Sequence, residues 1–254
     1  MHIDWHARFL QQAGWTRELR AHLFSRSGLE RAERVLEAGC GTGAILGGLS
    51  TPASVHGLDL DPARLAEARF HAPAAALACG DALRLPYPDA AFDITFCHFL
   101  LLWVRDPLLA LREMKRVTRP GGAVLALAEP DYDRRVDKPD PLAPLGRWQA
   151  ESLRRQGADP ALGARLAELF AGAGIRLVET GTLRGSPGSS TGLRDGKRPP
   201  DAGEQEMEWE VMEADLAGIV PRREIQRMKA LDEQAWQRGE RVLYVPTYFA
   251  YGLV

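Results

Sequence analysis

The sequence predicts an α/β fold, doubly wound around a mostly parallel seven-stranded sheet. Three observations predict it. Short apolar runs alternate with helix-like stretches through the first half of the chain. The first run leads straight into a glycine-rich turn, Gly39-Cys40-Gly41-Thr42-Gly43. The second and third end at acidic positions, Asp59 and Gly80-Asp81. Strands that alternate with helices in this way form parallel sheets covered on both faces, with every carboxyl end on one rim.

The elements follow in order. Residues 4–29 read as helical, in two pieces broken at Gly14, with Leu19 and Leu23 four apart on one face. Residues 34–38 form a first strand, and residues 44–49 are expected to open a helix after the turn. Residues 54–59 read as a second strand. A helix over 62–69 begins at Pro62, where the missing N–H costs nothing. Residues 75–79 and 92–97 give two more strands. Residues 108–117 are helical, with Leu108, Leu111 and Met114 on one side. Pro120-Gly121-Gly122 turns the chain into a fifth strand over 123–128. After residue 140 the reading changes to helices over 141–156 and 160–173 and a strand over 175–183. Residues 184–203, rich in Gly, Ser and Pro, read as a mobile loop. Residues 205–217 fit a helix or a strand, since Met207, Trp209 and Val211 alternate with Glu. A helix over 221–239 and a strand over 242–254, interrupted by Pro246, close the chain; a proline there suits an edge or a bulge.

The totals bound the function. The chain has 254 residues, 45% hydrophobic and 26% charged, which excludes a disordered or collagen-like polymer. The net charge of -2 gives no global signal for nucleic acid. Arg184, Arg194, Lys197 and Arg198 form a local basic cluster, but Glu204, Glu206, Glu208 and Glu210 follow directly, so the region reads as a solvated loop. Cys40, Cys79 and Cys97 form no CxxC pair, which argues against zinc or a disulfide framework and suits a reducing compartment. The start of the chain lacks the apolar core of a signal peptide. The greasiest stretch, 94–104, is broken by His98 and too short to span a bilayer. A cytoplasmic protein is expected.

The chemistry concentrates around Glu37-Ala38-Gly39-Cys40-Gly41-Thr42-Gly43. Glycines here let a ligand lie against the backbone. Asp59, at the end of the second strand, is placed to accept both hydroxyls of a ribose. Asp81 and the Ala82 N–H are placed to take the edge of an adenine. The glycine turn also satisfies the loose dinucleotide fingerprint, with Asp59 at the ribose acid of nicotinamide enzymes. Those features alone leave two cofactors open.

Four ordered segments carry a resemblance. VLEAGCGTGAIL, GLDLDPARL, GDALRLPYPDAAFDITFCHFLLLWV and REMKRVTRPGGAVLALAEP together resemble the motifs of class I S-adenosylmethionine-dependent methyltransferases, from about residue 33 to 130. The resemblance implies a Rossmann-like sheet ending in a C-terminal antiparallel hairpin, matched by 175–183 and 242–254. It divides the single domain into an N-terminal helical lid (1–30), a cofactor-binding core (31–130) and substrate-side helices, loop and final strands (131–254). It also implies roles. Glu37, Gly39, Gly41 and Gly43 line the methionine part of S-adenosylmethionine. Asp59 and Leu60 hold the ribose and flank the adenine, and Asp81 and Ala82 hold the adenine. Cys97 or His98 approaches the methionine amino group through a backbone carbonyl. Arg17 or Arg20, from the lid, is placed either to meet the cofactor carboxylate or to form a solvated helix face.

A sulfonium methyl is already activated, so the protein mainly aligns the acceptor and excludes water. His98 is the first candidate for a general base, with a packed structural histidine as the alternative. Glu129, Asp131 and Tyr132 follow the fifth strand on the same rim as candidates to bind substrate. Trp103 reads as core or pocket wall. The chain has FCHF where amino-methylating nucleic-acid enzymes carry (D/N)PP(Y/F), and no Pro-Cys pair there for cytosine C5 chemistry. No metal-ligand spacing appears among the histidines. The expected activity is methyl transfer to a small organic acceptor on O, N or C, with a nicotinamide oxidoreductase or a non-catalytic cofactor-binding regulator as alternatives.

Overall fold

The computed structural model describes residues 3–183, 192–194 and 201–254. The first four strands form where the apolar runs lie: β1 (Arg34–Ala38), β2 (Ser54–Asp59), β3 (Ala76–Cys79) and β4 (Phe92–Cys97). The fifth, β5 (Thr118–Pro130), is longer than expected. Its Pro120-Gly121-Gly122 segment does not end the strand. It sits inside as an irregularity, with Gly121 at φ 74° and a register shift against β4 between Phe92 and Ile94.

These five strands pair in parallel, and β7 (Arg176–Thr182) and β10 (Thr247–Leu253) complete a seven-stranded sheet of order β3-β2-β1-β4-β5-β10-β7. β10 runs antiparallel to both β5 and β7, as the hairpin expectation requires. The order reverses between β1 and β4, so the switch point where doubly wound sheets bind ligands lies at the glycine turn.

Helices α1 (Trp5–Trp15), α2 (Arg17–Ser27), α3 (Pro62–His71), α4 (Pro107–Val117), α5 (Pro144–Arg155) and α6 (Leu166–Gly172) flank the sheet and its rim. α3 and α4 each start with proline behind a capping aspartate. Asp61 accepts from Ala63 N at 2.8 Å and Asp106 from Leu109 N at 2.9 Å. One sheet face buries Leu36, Leu111, Met114, Leu166 and Phe170 under α4 and α6. The other buries Leu23, Phe24, Val35, Ile94 and Phe96 under α2.

Several expectations are corrected. The break between the first two helices falls at the buried Thr16, and Gly14 stays within α1. No helix opens over 44–49; the chain makes only a 3-10 turn, Leu46–Gly48. Adjacent glycines there disfavour helix, and Gly47 packs so tightly on the end of α3 that a Cβ would stand 2.2 Å from the His71 carbonyl oxygen. The helices expected over 141–156 and 160–173 each begin later, behind 3-10 turns at Asp140–Leu142 and Gly163–Arg165. Residues 205–217 resolve as helix, within α7 (Ala202–Leu216), because Trp209, Met212 and Leu216 recur at helical spacing on its buried face.

The largest departure is a second sheet. Pro246 lies neither on an edge nor in a bulge of one strand. It separates β9 (Val242–Val245) from β10, and the two strands belong to different sheets. β9 pairs antiparallel with β6 (Val136–Lys138) and β8 (Gly192–Arg194), neither of which was expected. β8 and the start of α7 fall in the segment read as a mobile loop; residues 184–191 and 195–200 of it, with Arg184, Lys197 and Arg198, lie outside the described residues. Helices α7 and α8 (Arg222–Gln237) pack with α5 around their own apolar centre of Leu142, Leu145, Trp209, Leu216 and Met228. Among the described residues no helix is long and apolar enough to cross a membrane.

Buried ions tie this cap together. Arg241 donates to Asp232 of α8 at 2.5 Å and to Asp137 of β6 at 2.7 Å. Arg135 donates twice to Asp137, at 2.8 and 2.9 Å, and Trp209 Nε1 donates to Asp232 at 3.0 Å. Removing one partner of such a set strands the others away from water. Arg241→Ala is expected to cost about 3–5 kcal/mol in urea unfolding monitored by tryptophan fluorescence; an unchanged midpoint would show that the network is dispensable.

Candidate active site

The carboxyl ends of β1, β2, β3 and β4 lie side by side, and with them the residues singled out from the sequence. In register, Ala38 pairs with Leu58 and Cys97, and Asp59 with Cys79. The turn after β1 is closed by Gly39 N and Cys40 N, which both donate to the Leu58 carbonyl at 2.7 and 2.9 Å. Gly39, Gly41 and Gly43 all take positive φ, at 73°, 52° and 80°, a region where side chains are disfavoured. Space reinforces this at all three, with a Cβ on Gly43 standing 3.2 Å from that of Ala72. A Cβ on Gly39 would stand 2.6 Å from Leu100 Cδ1, and one on Gly41 3.1 Å from the Phe9 ring.

Asp59 is buried and holds the loop. Its carboxylate accepts from Gly41 N at 2.8 Å and from Asp61 N at 2.9 Å. The next residue, Leu60, is 69% exposed on the rim. Asp81 accepts from Leu83 N at 2.8 Å, and Ala82 is buried beneath it. Cys97 closes β4 and is buried; burial first, then Glu129 and Glu37, push its thiol well above the usual range.

Glu37 stands at the foot of the glycine turn. It is buried, and its Oε2 has no hydrogen-bond partner among the described residues. Burial pushes its carboxyl well above the ordinary range, opposed by the Arg20 cation and reinforced by Asp59. Of the two candidate arginines of α2, Arg17 is exposed, whereas Arg20 is half-buried near Glu37. The Arg20 guanidinium donates to Thr16 Oγ1 at 2.6 Å and to the Ala13 carbonyl.

The first two helices lie across this rim. Thr16, at their junction, places Oγ1 2.9 Å from His98 Nε2. Burial, with the Arg20 charge, pushes His98 down to about 3, so its ring is neutral near physiological pH and takes up a proton poorly. From α1, Phe9 covers Gly41, and His6 Nδ1 lies 2.8 Å from Thr42 Oγ1 with its ring stacked on His71 at 3.3 Å. These contacts leave no local signature, because they join residues far apart in the chain.

A pocket lies beside the rim, beyond β4 and β5. Trp15, Phe99, Tyr132, Trp209 and Trp236 wall it, and Arg8, Arg135, Gln149, Glu208, Asp232 and Arg241 bring polar groups to it. Burial pushes the Tyr132 phenol above its ordinary value. Among the lining residues there is no histidine, lysine or cysteine. Trp103, by contrast, is 45% exposed, so it is not core, and it does not line this pocket. Asp131 turns inward to accept from Arg134 N at 3.2 Å. Glu129 is fully buried and also faces backbone: it accepts from Leu100 N and Leu101 N with Oε1, at 3.1 and 3.0 Å, and from Leu102 N with Oε2, at 3.2 Å. Burial lifts its carboxyl to about 7, against the pull of those three N–H groups.

A family model described as a methyltransferase domain matches residues 36–126. The malonyl-[acyl-carrier protein] O-methyltransferase of Halorhodospira halophila is 44% identical over 98 residues, covering 36% of this chain and 33% of that protein. The enzyme of the same name from Erwinia pyrifoliae is 31% identical over 245 residues, covering 91% of this chain and 82% of that one. The match thus spans a third of the first relative and most of the second. Geranyl diphosphate C-methyltransferase from Streptomyces coelicolor A3(2), solved with Mg2+, geranyl diphosphate and S-adenosyl-L-homocysteine, superimposes with a TM-score of 0.55 at 12% identity, over 93% of this chain and 77% of that one. At that identity the likeness is one of fold.

Glu129 makes a signed pH prediction. Its folded pKa, about 7, lies above the ordinary 4.5, so the fold favours the protonated form. The stability this contributes is complete below about 4.5 and is lost as pH rises through about 7. Glu37 acts in the same direction. Unfolding free energy measured across that window should fall with rising pH, and Glu129→Gln should flatten part of the slope; an identical slope in the variant would contradict the assignment.

Proposed function

Because this chain belongs to the class I S-adenosylmethionine-dependent methyltransferases, we propose that it transfers the methyl group to a small organic acceptor held in the pocket beside β4 and β5. The cofactor, S-adenosylmethionine, supplies a sulfonium methyl already activated for transfer. The observation that carries the acceptor reading is the pocket's position: Phe99 follows β4, Pro130 ends β5 and Tyr132 follows it, and all three face the cavity from the rim that carries the cofactor motifs.

The residues present fit the cofactor. The unpartnered oxygen of Glu37 offers an acceptor to the ammonium of a zwitterionic amino acid and the Arg20 cation a partner to its carboxylate, while Gly39, Gly41 and Gly43 let it lie on the backbone. Asp59 uses two of its roughly four acceptor positions on Gly41 and Asp61, leaving capacity for ribose hydroxyls. Leu60 flanks the adenine, and Asp81 and the Ala82 N–H take its edge. The backbone at Cys97 and His98 approaches the amino group. Helix α1, resting on the glycine turn through Phe9 and His6, serves as the lid and excludes water.

The acceptor atom is the oxygen of a carboxylate. The relative matched along most of its length is named for O-methylation of a malonyl group. The pocket supports the same chemistry here: Arg8 brings a guanidinium to it and no histidine, lysine or cysteine lines it, which suits an acceptor that arrives ionised. His98 then serves to dock the lid through Thr16, not to abstract a proton. The three unbridged cysteines suit a reducing cytoplasm.

Isothermal calorimetry with S-adenosylmethionine should show binding, and Asp59→Ala should weaken it at least about tenfold, or 1.4 kcal/mol. No heat with that compound or S-adenosylhomocysteine would end the cofactor assignment. In a panel of matched acceptors, malonyl thioesters and other carboxylates should be methylated in preference to amines and phenols; the reverse order would overturn the carboxylate reading and leave the cofactor assignment standing.

A further inference from the structure

The structure assigns Glu129 as a positioning residue that clamps the turn after β4 and thereby sets the acceptor wall against the cofactor loop. Four successive backbone N–H groups leave β4 and all end on the last residues of β5. Phe99 N donates to the Ala128 carbonyl at 3.0 Å, and Leu100, Leu101 and Leu102 N donate to the Glu129 carboxylate. The carboxylate therefore sits at the start of the 3-10 turn Leu101–Trp103, where backbone donors have no partner within the turn.

What the clamp holds matters on both sides. Phe99 has φ 52°, a strained conformation for a bulky side chain that persists only where its surroundings impose it. Its ring lines the acceptor pocket and meets Trp15 of the lid edge-on at 6.5 Å. The next side chain, Leu100, lies over Gly39, the first glycine of the cofactor turn. Two neighbouring residues on one strained turn thus face the two halves of the site. On its own strand, Glu129 is followed directly by Pro130 and then Tyr132, which line the same pocket. A shift of the turn would move Phe99 and Leu100 together, and misplacement by about 1 Å can cost on the order of 100-fold in rate.

Glu129 does not fit a substrate-binding role. It is fully buried, its two oxygens are committed to three N–H groups, and it is absent from the pocket wall. The carboxylate's distinguishing property is that it accepts on both oxygens, whereas an amide accepts on one.

The inference uses the acceptor-pocket reading for its kinetic arm, so the test includes an arm that does not. Amide hydrogen exchange by NMR or mass spectrometry should show residues 99–102 protected in the wild-type protein. Glu129→Ala should speed exchange there by about 10–100-fold, the loss expected for orphaned buried donors, with the strands of the sheet unchanged. Glu129→Gln should restore protection at Leu100 and Leu101 and leave Leu102 fast. With S-adenosylmethionine and a malonyl thioester, Glu129→Ala should lower kcat at least about tenfold while the cofactor Kd and acceptor KM move less than about threefold, and Gln should recover most of the loss. Unchanged exchange at 99–102 in the alanine variant would overturn the assignment, as would an alanine variant with wild-type kcat. If the wild-type protein leaves malonyl thioesters unmethylated, the acceptor reading fails and the exchange pattern still decides the clamp.

Discussion

Backbone N–H groups that leave a parallel sheet at its carboxyl rim need acceptors in a place where water is scarce, and this constraint organises the site. Carboxylates provide them at three loops. Asp59 ties the glycine turn to β2, Asp81 closes the turn after β3, and Glu129 gathers the turn after β4. Each is an acid that a sequence reader assigns to ligand chemistry, and each first does structural work on backbone. The two uses are compatible for Asp59, which sits at the cofactor rim with lone pairs to spare, and incompatible for Glu129, which is sealed from the pocket. Burial makes the difference, and it also explains why the carboxyl of Glu129 is displaced upward.

The cap extends the same logic with opposite charges in pairs. Its apolar centre is separate from the two faces of the main sheet, so α5, α7 and α8 and the three-stranded sheet need a further reason to stay in register with the rim. Arg135, Asp137, Arg241 and Asp232 supply it. Buried ions add specificity of position more than stability, because they tolerate only arrangements in which every charge is matched. Arg135, Asp232 and Arg241 of this network also line the pocket beside β4 and β5, so its wall is held by matched charges.

The first two helices join these systems. Thr16 links them to His98 at the end of β4, while Phe9 and His6 rest on the cofactor turn and Trp15 reaches the acceptor pocket. A single rigid pair of helices therefore touches cofactor loop, post-β4 turn and pocket.

Much of the core was legible in the sequence because it depends on short-range patterns. Apolar runs marked β1 to β4 to the residue or nearly so, the first three ending in glycine or aspartate, and the proline-led helices α3 and α4 carried their own start signals. The glycine turn and Asp59 were legible for the same reason, since positive φ and strand ends leave local signatures. What only the tertiary structure decided involves residues distant in sequence. Nothing in the run 135–138 shows that Arg135 and Asp137 face inward to Arg241, because alternating charge reads as solvated until a partner is known. Pro246 was legible as a break, but that it divides two sheets depends on β6 and β8 arriving alongside β9. His98 looked like a base from its place at a strand end, and its proton affinity was settled by burial and by Arg20, neither of which a linear chain displays. Local conformational preference is written residue by residue; burial, and the electrostatics that follow from it, exist only once the chain has closed on itself.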